Sequence, residues 1–231
     1  MHIRLQKGVK PLSLLIFDLD GTLIDSYAPL LASFVHTITT LKLPIPPMDE
    51  LKRTIGFPLE DALAMFMPQA LVEEAVGLFR GYYQGIVLQE TTLLPGARAT
   101  LRALAEHATL AVATNKASHM AVDVLEHLGV AQFFSLIVGT HCVAEPKPAA
   151  DMVEKILKDL DCPREEAVLV GDSIIDVQFS QNSGVDLICV LTGSNTEGEL
   201  RAAGGENIVA SVENILHLCS PWEGEMEKRA N

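Results

Sequence analysis

The chain has 231 residues, 48% of them hydrophobic, and a formal net charge of −13 from 17 lysines and arginines against 30 aspartates and glutamates. That acidity argues against non-specific binding to nucleic acid or to an anionic membrane surface, and no apolar run approaches the ~20 residues of a membrane span. The length fits one large domain, or one domain carrying a smaller inserted one.

Arg4, Lys7 and Lys10 precede an apolar stretch, in the manner of a secretory leader. That stretch runs only from Leu14 to Phe17 before Asp18 ends it, and no small-residue cleavage site follows. It reads instead as a buried parallel strand, Leu14–Asp18. The strand ends in Asp18-Leu19-Asp20-Gly21-Thr22. Asp, Gly and Thr build ordinary turns, but two acids at i and i+2 raise each other's pKa unless a cation or donor compensates. Chance would place Asp-x-Asp-Gly-Thr in roughly two of a thousand chains of this composition, so the pattern points to chemistry rather than to a turn.

From about Tyr27 to Thr92 the patterning is helical throughout: Pro29–Leu41, Met48–Thr54, Leu59–Met67 and Leu71–Gln89, punctuated by prolines at 44, 46, 47, 58 and 68. Met48, Met65, Met67 and Phe66 are expected to pack this segment. Beyond it, strand-like runs (Leu110–Thr114, Leu136–Gly139, Ala167–Gly171, Leu187–Leu191 and, more weakly, Ile208–Ala210) alternate with helices. The helices are Gly96–His107, Ser118–Leu128, Ala149–Leu160 and Ile174–Asn182. Such alternation implies right-handed crossovers and a parallel sheet covered on both faces. The expected architecture is α/β: a Rossmann-like core of residues 1–26 and 93–231, with a small all-helical cap, residues 27–92, inserted after the first strand. The tail from Glu223 to Asn231 is charged and is expected to fray.

Four short motifs fall at the carboxyl ends of the predicted strands, where parallel sheets bind ligands. They are Asp18 with Asp20, then Thr114-Asn115-Lys116, then Lys147-Pro148, and finally Gly171-Asp172-Ser173-Ile174-Ile175-Asp176. Taken singly, Thr-Asn is usually a helix cap, Lys-Pro an exposed turn, and acids at a helix start are favoured by its dipole. Gathered on one rim they become a site. Four carboxylates with one lysine need a divalent cation, and oxygen-only ligands favour Mg²⁺. Thr114 can hold a phosphoryl oxygen, and Lys147 can neutralise charge in a transition state.

In this order the motifs resemble the haloacid dehalogenase superfamily of phosphohydrolases, from about Leu14 to Leu218. The helical insertion, Leu51-Lys52-Arg53-Thr54-Ile55-Gly56-Phe57-Pro58 and the returning Leu94-Pro95-Gly96 resemble its phosphoglycolate-phosphatase-like branch. The resemblance implies a Mg²⁺-dependent phosphatase acting on a small phosphorylated metabolite. Asp18 would be the nucleophile and Asp20 the general acid and base. Asp18, the main-chain carbonyl of Asp20 and Asp172 would hold the metal, with Asp176 as ligand or just behind. Thr114, Asn115 and Lys147 would position the phosphoryl group, while Arg53 and Gly56 would face the substrate from the cap. An acid at position 20 argues against dehalogenation. Alanine at position 150 and the sequence after Asp176 depart from the family pattern, outside the reactive positions. A sugar-phosphate mutase, a pyrophosphatase or a nucleotidase of the same superfamily are the alternatives.

A phospho-receiver domain would lack the helical insertion, and a dead scaffold would have lost a reactive position. Cys142, Cys162, Cys189 and Cys219 show no Cys-x-x-Cys spacing and read as reduced, partly buried thiols of a cytoplasmic protein, monomer or homodimer.

Overall fold

The computed structural model describes residues 1–220; the tail expected to fray lies outside them. The chain opens with β1 (His2–Leu5), β2 (Gly8–Pro11), β3 (Leu14–Phe17) and β4 (Ile24–Asp25). Four helices follow: α1 (Tyr27–Thr40), α2 (Met48–Arg53), α3 (Leu59–Ala64) and α4 (Gln69–Glu90). After β5 (Thr92–Leu93), helices and strands alternate through α5 (Ala97–Ala105), β6 (Thr109–Ala113), α6 (Ser118–His127), β7 (Leu136–Val138) and α7 (Asp151–Asp159). The alternation continues through β8 (Ala167–Gly171), α8 (Ile174–Ser183), β9 (Asp186–Val190), α9 (Glu197–Ala203) and β10 (Asn207–Val209), before β11 (Cys219–Ser220).

Six strands form one parallel sheet in the order β10-β9-β8-β3-β6-β7. The α/β fold read from the strand–helix alternation is therefore the fold observed. The central strands are apolar runs rather than alternating ones because both faces are covered. Leu15 and Phe17 join one core with Leu101, Leu104, Val124 and Leu125 of α5 and α6. Leu14 and Ile16 point the other way, into a second core with Met152 and Ile156 of α7 and Phe179 of α8.

Residues 27–90 hold helices only, between β4 and β5, which pair antiparallel as Ile24 opposite Leu93 and Asp25 opposite Thr92. This two-stranded ribbon is where the chain leaves the sheet and returns. Within the helical segment, α1 packs on α4 through Phe34 and Phe79, whose rings meet edge to face at 5.0 Å. Among the residues expected to pack here, Met67 is buried, but Met48 and Met65 are 43% and 53% exposed. Both sit where a short helix begins or ends, with the apolar face already filled by Leu51 and Leu63.

One element was not expected. β1, β2 and β11 make a small antiparallel sheet that joins the two ends of the described chain. Ile3 and Leu5 are buried on its inner face while Arg4 is exposed. Cys142 is exposed rather than partly buried, since it lies on a 3₁₀ turn, Thr140–Cys142, rather than in the strand before it.

Leu15 is fully buried on the central strand. Leu15→Ala should therefore cost about 2–5 kcal/mol, read in denaturant as a lower midpoint at unchanged slope.

Candidate active site

The three central strands end level. Phe17 lies opposite both Val112 of β6 and Val170 of β8, and the Asp18 N–H still donates to the Val170 carbonyl at 2.8 Å. The next residues of each strand therefore emerge together on one rim. β6 and β7 lie to one side of β3, while β8 to β10 lie to the other. The rim is thus a topological switch point, the place where open parallel sheets bind ligands. There Asp18, Asp172 and Asp176 bring carboxylate oxygens within 4.8 Å of one another, and all three side chains are buried.

Lys147, from the loop after β7, reaches into this group across a cis Lys147–Pro148 connection and is only 2% exposed. Its Nζ donates to Asp18 Oδ1 at 2.7 Å and to Asp176 Oδ1 at 2.8 Å. The other Asp176 oxygen accepts from the Asp172 and Ser173 N–H groups at 3.2 and 3.1 Å, and from Ser173 Oγ at 2.7 Å. These bonds close a capping box that starts α8. Asp176 thus has both oxygens engaged within the protein and fixes the lysine.

Asp172 is held differently. Thr22 Oγ1 donates to its Oδ1 at 2.7 Å, and two glycines wall its Oδ2. A β-carbon on Gly21 would lie 2.7 Å from that oxygen, and one on Gly193 only 1.7 Å away. Gly193 belongs to the loop after β9, which Thr192 ties to Gly21 by a 2.6 Å bond to its carbonyl.

Asp20 points to a second lysine. Its Oδ1 accepts from Lys116 Nζ at 2.9 Å and from Ser26 Oγ. Lys116 also reaches the Tyr83 hydroxyl of α4 at 2.7 Å. The site therefore carries two buried lysines, not one. Burial alone would pull both ammonium groups down in pKa. Asp20 beside Lys116, and Asp176 and Asp18 beside Lys147, more than offset it and hold both above the ordinary lysine value.

The carboxylates show the opposite imbalance. Burial first, and then Asp176 and Asp20 nearby, push Asp18 up to about 7 against the pull of Lys147. Burial, with Asp18 and Asp176 beside it, raises Asp172 well above the usual carboxylate range. Four carboxylates against two ammonium groups leave two negative charges in excess. The donors are hard oxygens, closely grouped, and short of positive charge by the charge of one divalent cation. The cluster fits such an ion.

The remaining expected residues are placed as follows. Thr114 is buried and lines the same cavity as Asp18, and its Oγ1 accepts from the Lys116 N–H at 3.1 Å. Asn115 receives the Lys147 N–H at 3.0 Å and donates to the Lys147 and Gly56 carbonyls at 3.1 and 2.9 Å. Its side chain thus ties the third loop and the helical segment to the second loop. Asp18, Asp20, Gly56, Thr114 and Asn115 line one cavity of about 140 Å³. Arg53 is not among them. It is 69% exposed on its side chain and reaches Glu199 of α9 at 3.5 Å, outside the cavity.

Lys116 and Thr22 lie within the sequence motifs with no role assigned to them, while Tyr83 and Gly193 lie outside those motifs. The last had a signal: Thr192-Gly193-Ser194-Asn195 follows a predicted strand at the same kind of end as the four motifs.

Residues 15–190 match the family model described as haloacid dehalogenase-like hydrolase. The chain is 30% identical over 215 residues to a protein of Dickeya dadantii named "probable phosphatase IndB", covering 90% of this chain and 93% of that one. It is 34% identical to a phosphoglycolate phosphatase of Agrobacterium fabrum, covering 80% and 83%. A haloacid dehalogenase-like hydrolase of Streptococcus pneumoniae superposes with a TM-score of 0.82 at 26% identity, over 89% of this chain and 97% of its own. The order of motifs, the sheet that levels them and the similarity across most of the chain lead to one assignment: the protein belongs to the haloacid dehalogenase-like hydrolase family.

Proposed function

We propose that this phosphatase hydrolyses a small phosphomonoester, the class to which its relatives named phosphoglycolate phosphatase and pyrophosphatase point, with Mg²⁺, in two steps through an aspartyl-phosphate, beneath a cap formed by α1 to α4. The observation that carries the reading is the pairing of two differently held acids at one strand end. Asp18 is fixed by Lys147, while Asp20, two residues on, is fixed by Lys116 and Ser26; both face the same cavity.

In the first step an Asp18 oxygen bonds to phosphorus, and the bond from phosphorus to the leaving oxygen breaks. A proton brought by the phosphomonoester passes by way of Asp20 to that oxygen, so the product leaves as a neutral alcohol. In the second, the Asp20 carboxylate takes a proton from water as the water oxygen bonds to phosphorus. The acyl–phosphate link opens, and Asp18 returns as a carboxylate. Lys147 keeps one Asp18 oxygen in place through both steps, and Thr114 offers its hydroxyl to a phosphoryl oxygen. Asn115 acts by positioning, since its amide carries the Lys147 backbone. Mg²⁺ would be held by Asp18, the Asp20 carbonyl and Asp172, with Asp176 behind them, and would supply charge neutralisation for the carboxylates and the phosphoryl oxygens.

The cap touches the core through Gly56 on Asn115, Tyr83 on Lys116 and Arg53 on Glu199. Opening at the β4–β5 ribbon would admit substrate, and closing would exclude bulk water from the phosphoryl group. The four cysteines are all free thiols, which supports a reducing, cytoplasmic setting.

Asp18→Asn should lower turnover of p-nitrophenyl phosphate by more than about 10³-fold with an unchanged circular dichroism spectrum; retained activity would remove Asp18 as nucleophile. Gly193→Ala forces Asp172 to move. It should raise the Mg²⁺ concentration for half-maximal rate by about 10–100-fold, whereas an unchanged Mg²⁺ dependence would show that Asp172 does not hold the ion.

A further inference from the structure

Away from the carboxylates, the cavity continues between α1, α4 and the 54–57 turn on one side and the start of α6 on the other. The whole cavity, the phosphoryl place beside Asp18 and Thr114 included, has a volume of about 140 Å³, the liquid share of about five waters.

The wall of this extension is largely apolar, although Gln84, His119 and Thr140 also line the cavity. Leu30 and Phe34 of α1, Ile55 and Phe57 of the turn, Phe79 of α4 and Met120 of α6 face it. Its two fixed cations are already paired: Lys116 with Asp20 at 2.9 Å, and Arg80 with Glu60 at 2.9 Å. Arg53, the cap arginine that could have met an anionic substrate, is engaged outside by Glu199. A carboxylate carried into this space would lose water, find the lining lysine and arginine already paired, and sit near Asp20 and Glu60.

We infer that the substrate's leaving group is a compact, uncharged and largely apolar alcohol, alkyl or aryl, rather than a carboxylate-bearing body such as glycolate. This rests on the phosphatase reading above and narrows it to a substrate class. The relevant bond change is the one already given: phosphorus exchanges its link to the alcohol oxygen for one to Asp18, and the alcohol leaves with the proton from Asp20.

The test is kcat/KM, with Mg²⁺, for ethyl, n-butyl and benzyl phosphates beside phosphoglycolate, with p-nitrophenyl phosphate as the measure of intact chemistry. Ethyl and n-butyl leaving groups are of similar basicity, so the step between them reads the cavity. Each methylene buried should raise kcat/KM about fourfold. An increase of about tenfold or more from ethyl to n-butyl phosphate is therefore expected, with phosphoglycolate at or below ethyl phosphate. Hydrolysis of p-nitrophenyl phosphate with no gain from ethyl to n-butyl, or with phosphoglycolate turned over faster than n-butyl phosphate, would overturn the inference alone. No phosphate release from any of the five would overturn the phosphatase reading and this inference with it.

Discussion

Four aspartates and two lysines share a buried pocket at one edge of a parallel sheet, and the placement of their charges governs everything built around them. Taking carboxylates out of water is unfavourable, and crowding them adds repulsion. The chain meets this with two ammonium groups, each shared: Lys147 between Asp18 and Asp176, Lys116 between Asp20 and the Tyr83 hydroxyl. Hydrogen bonds from Thr22, Ser26 and Ser173 take up further oxygens. What they leave is a deficit of positive charge centred on Asp18 and Asp172, the two groups whose pKa values rise. A divalent cation would answer that deficit, and in the proposed reaction a phosphoryl group brought to it would meet Asp18 already held by Lys147.

The sheet supplies the geometry. In-register parallel pairing of β3, β6 and β8 brings three strand ends to one level, so short side chains suffice to meet. Because β3 is central and both its faces are packed, moving Asp18 would mean displacing Leu14 to Phe17 from two cores at once. Backbone spacing is equally restrictive: residues larger than glycine at 21, 171 or 193 would run into Asp172 or Asp176. The helical segment touches the site through Gly56 and Tyr83, so cap position and the setting of Lys116 are physically linked.

Much of this was readable from residues in order. The central strands were legible because a strand buried on both faces is a continuous apolar run, and the rim because its motifs follow those runs directly. The helical insertion was legible from period and proline punctuation. What was not legible depends on contacts distant in sequence. The β1–β2 hairpin pairs with β11 more than two hundred residues on, and its alternation of Ile3, Arg4 and Leu5 is too short to be distinctive. Lys116 looks like a solvated turn residue until α4 places Tyr83 over it. Arg53 carries no mark in the sequence that it would face Glu199 rather than the cavity, because that choice is set by how α2 meets α9. Asn115 was expected to touch the phosphoryl group, yet its amide is occupied by backbone groups from two other loops.

Calorimetric titration of Mg²⁺ at pH 7 in two buffers of different ionisation heat measures the charge deficit directly. Metal binding to carboxyls that hold protons must release them, so about one ion should bind per chain with release of a substantial fraction of a proton, both lost in Asp172→Asn. Absence of binding, or binding without proton release that persists in Asp172→Asn, would contradict that deficit.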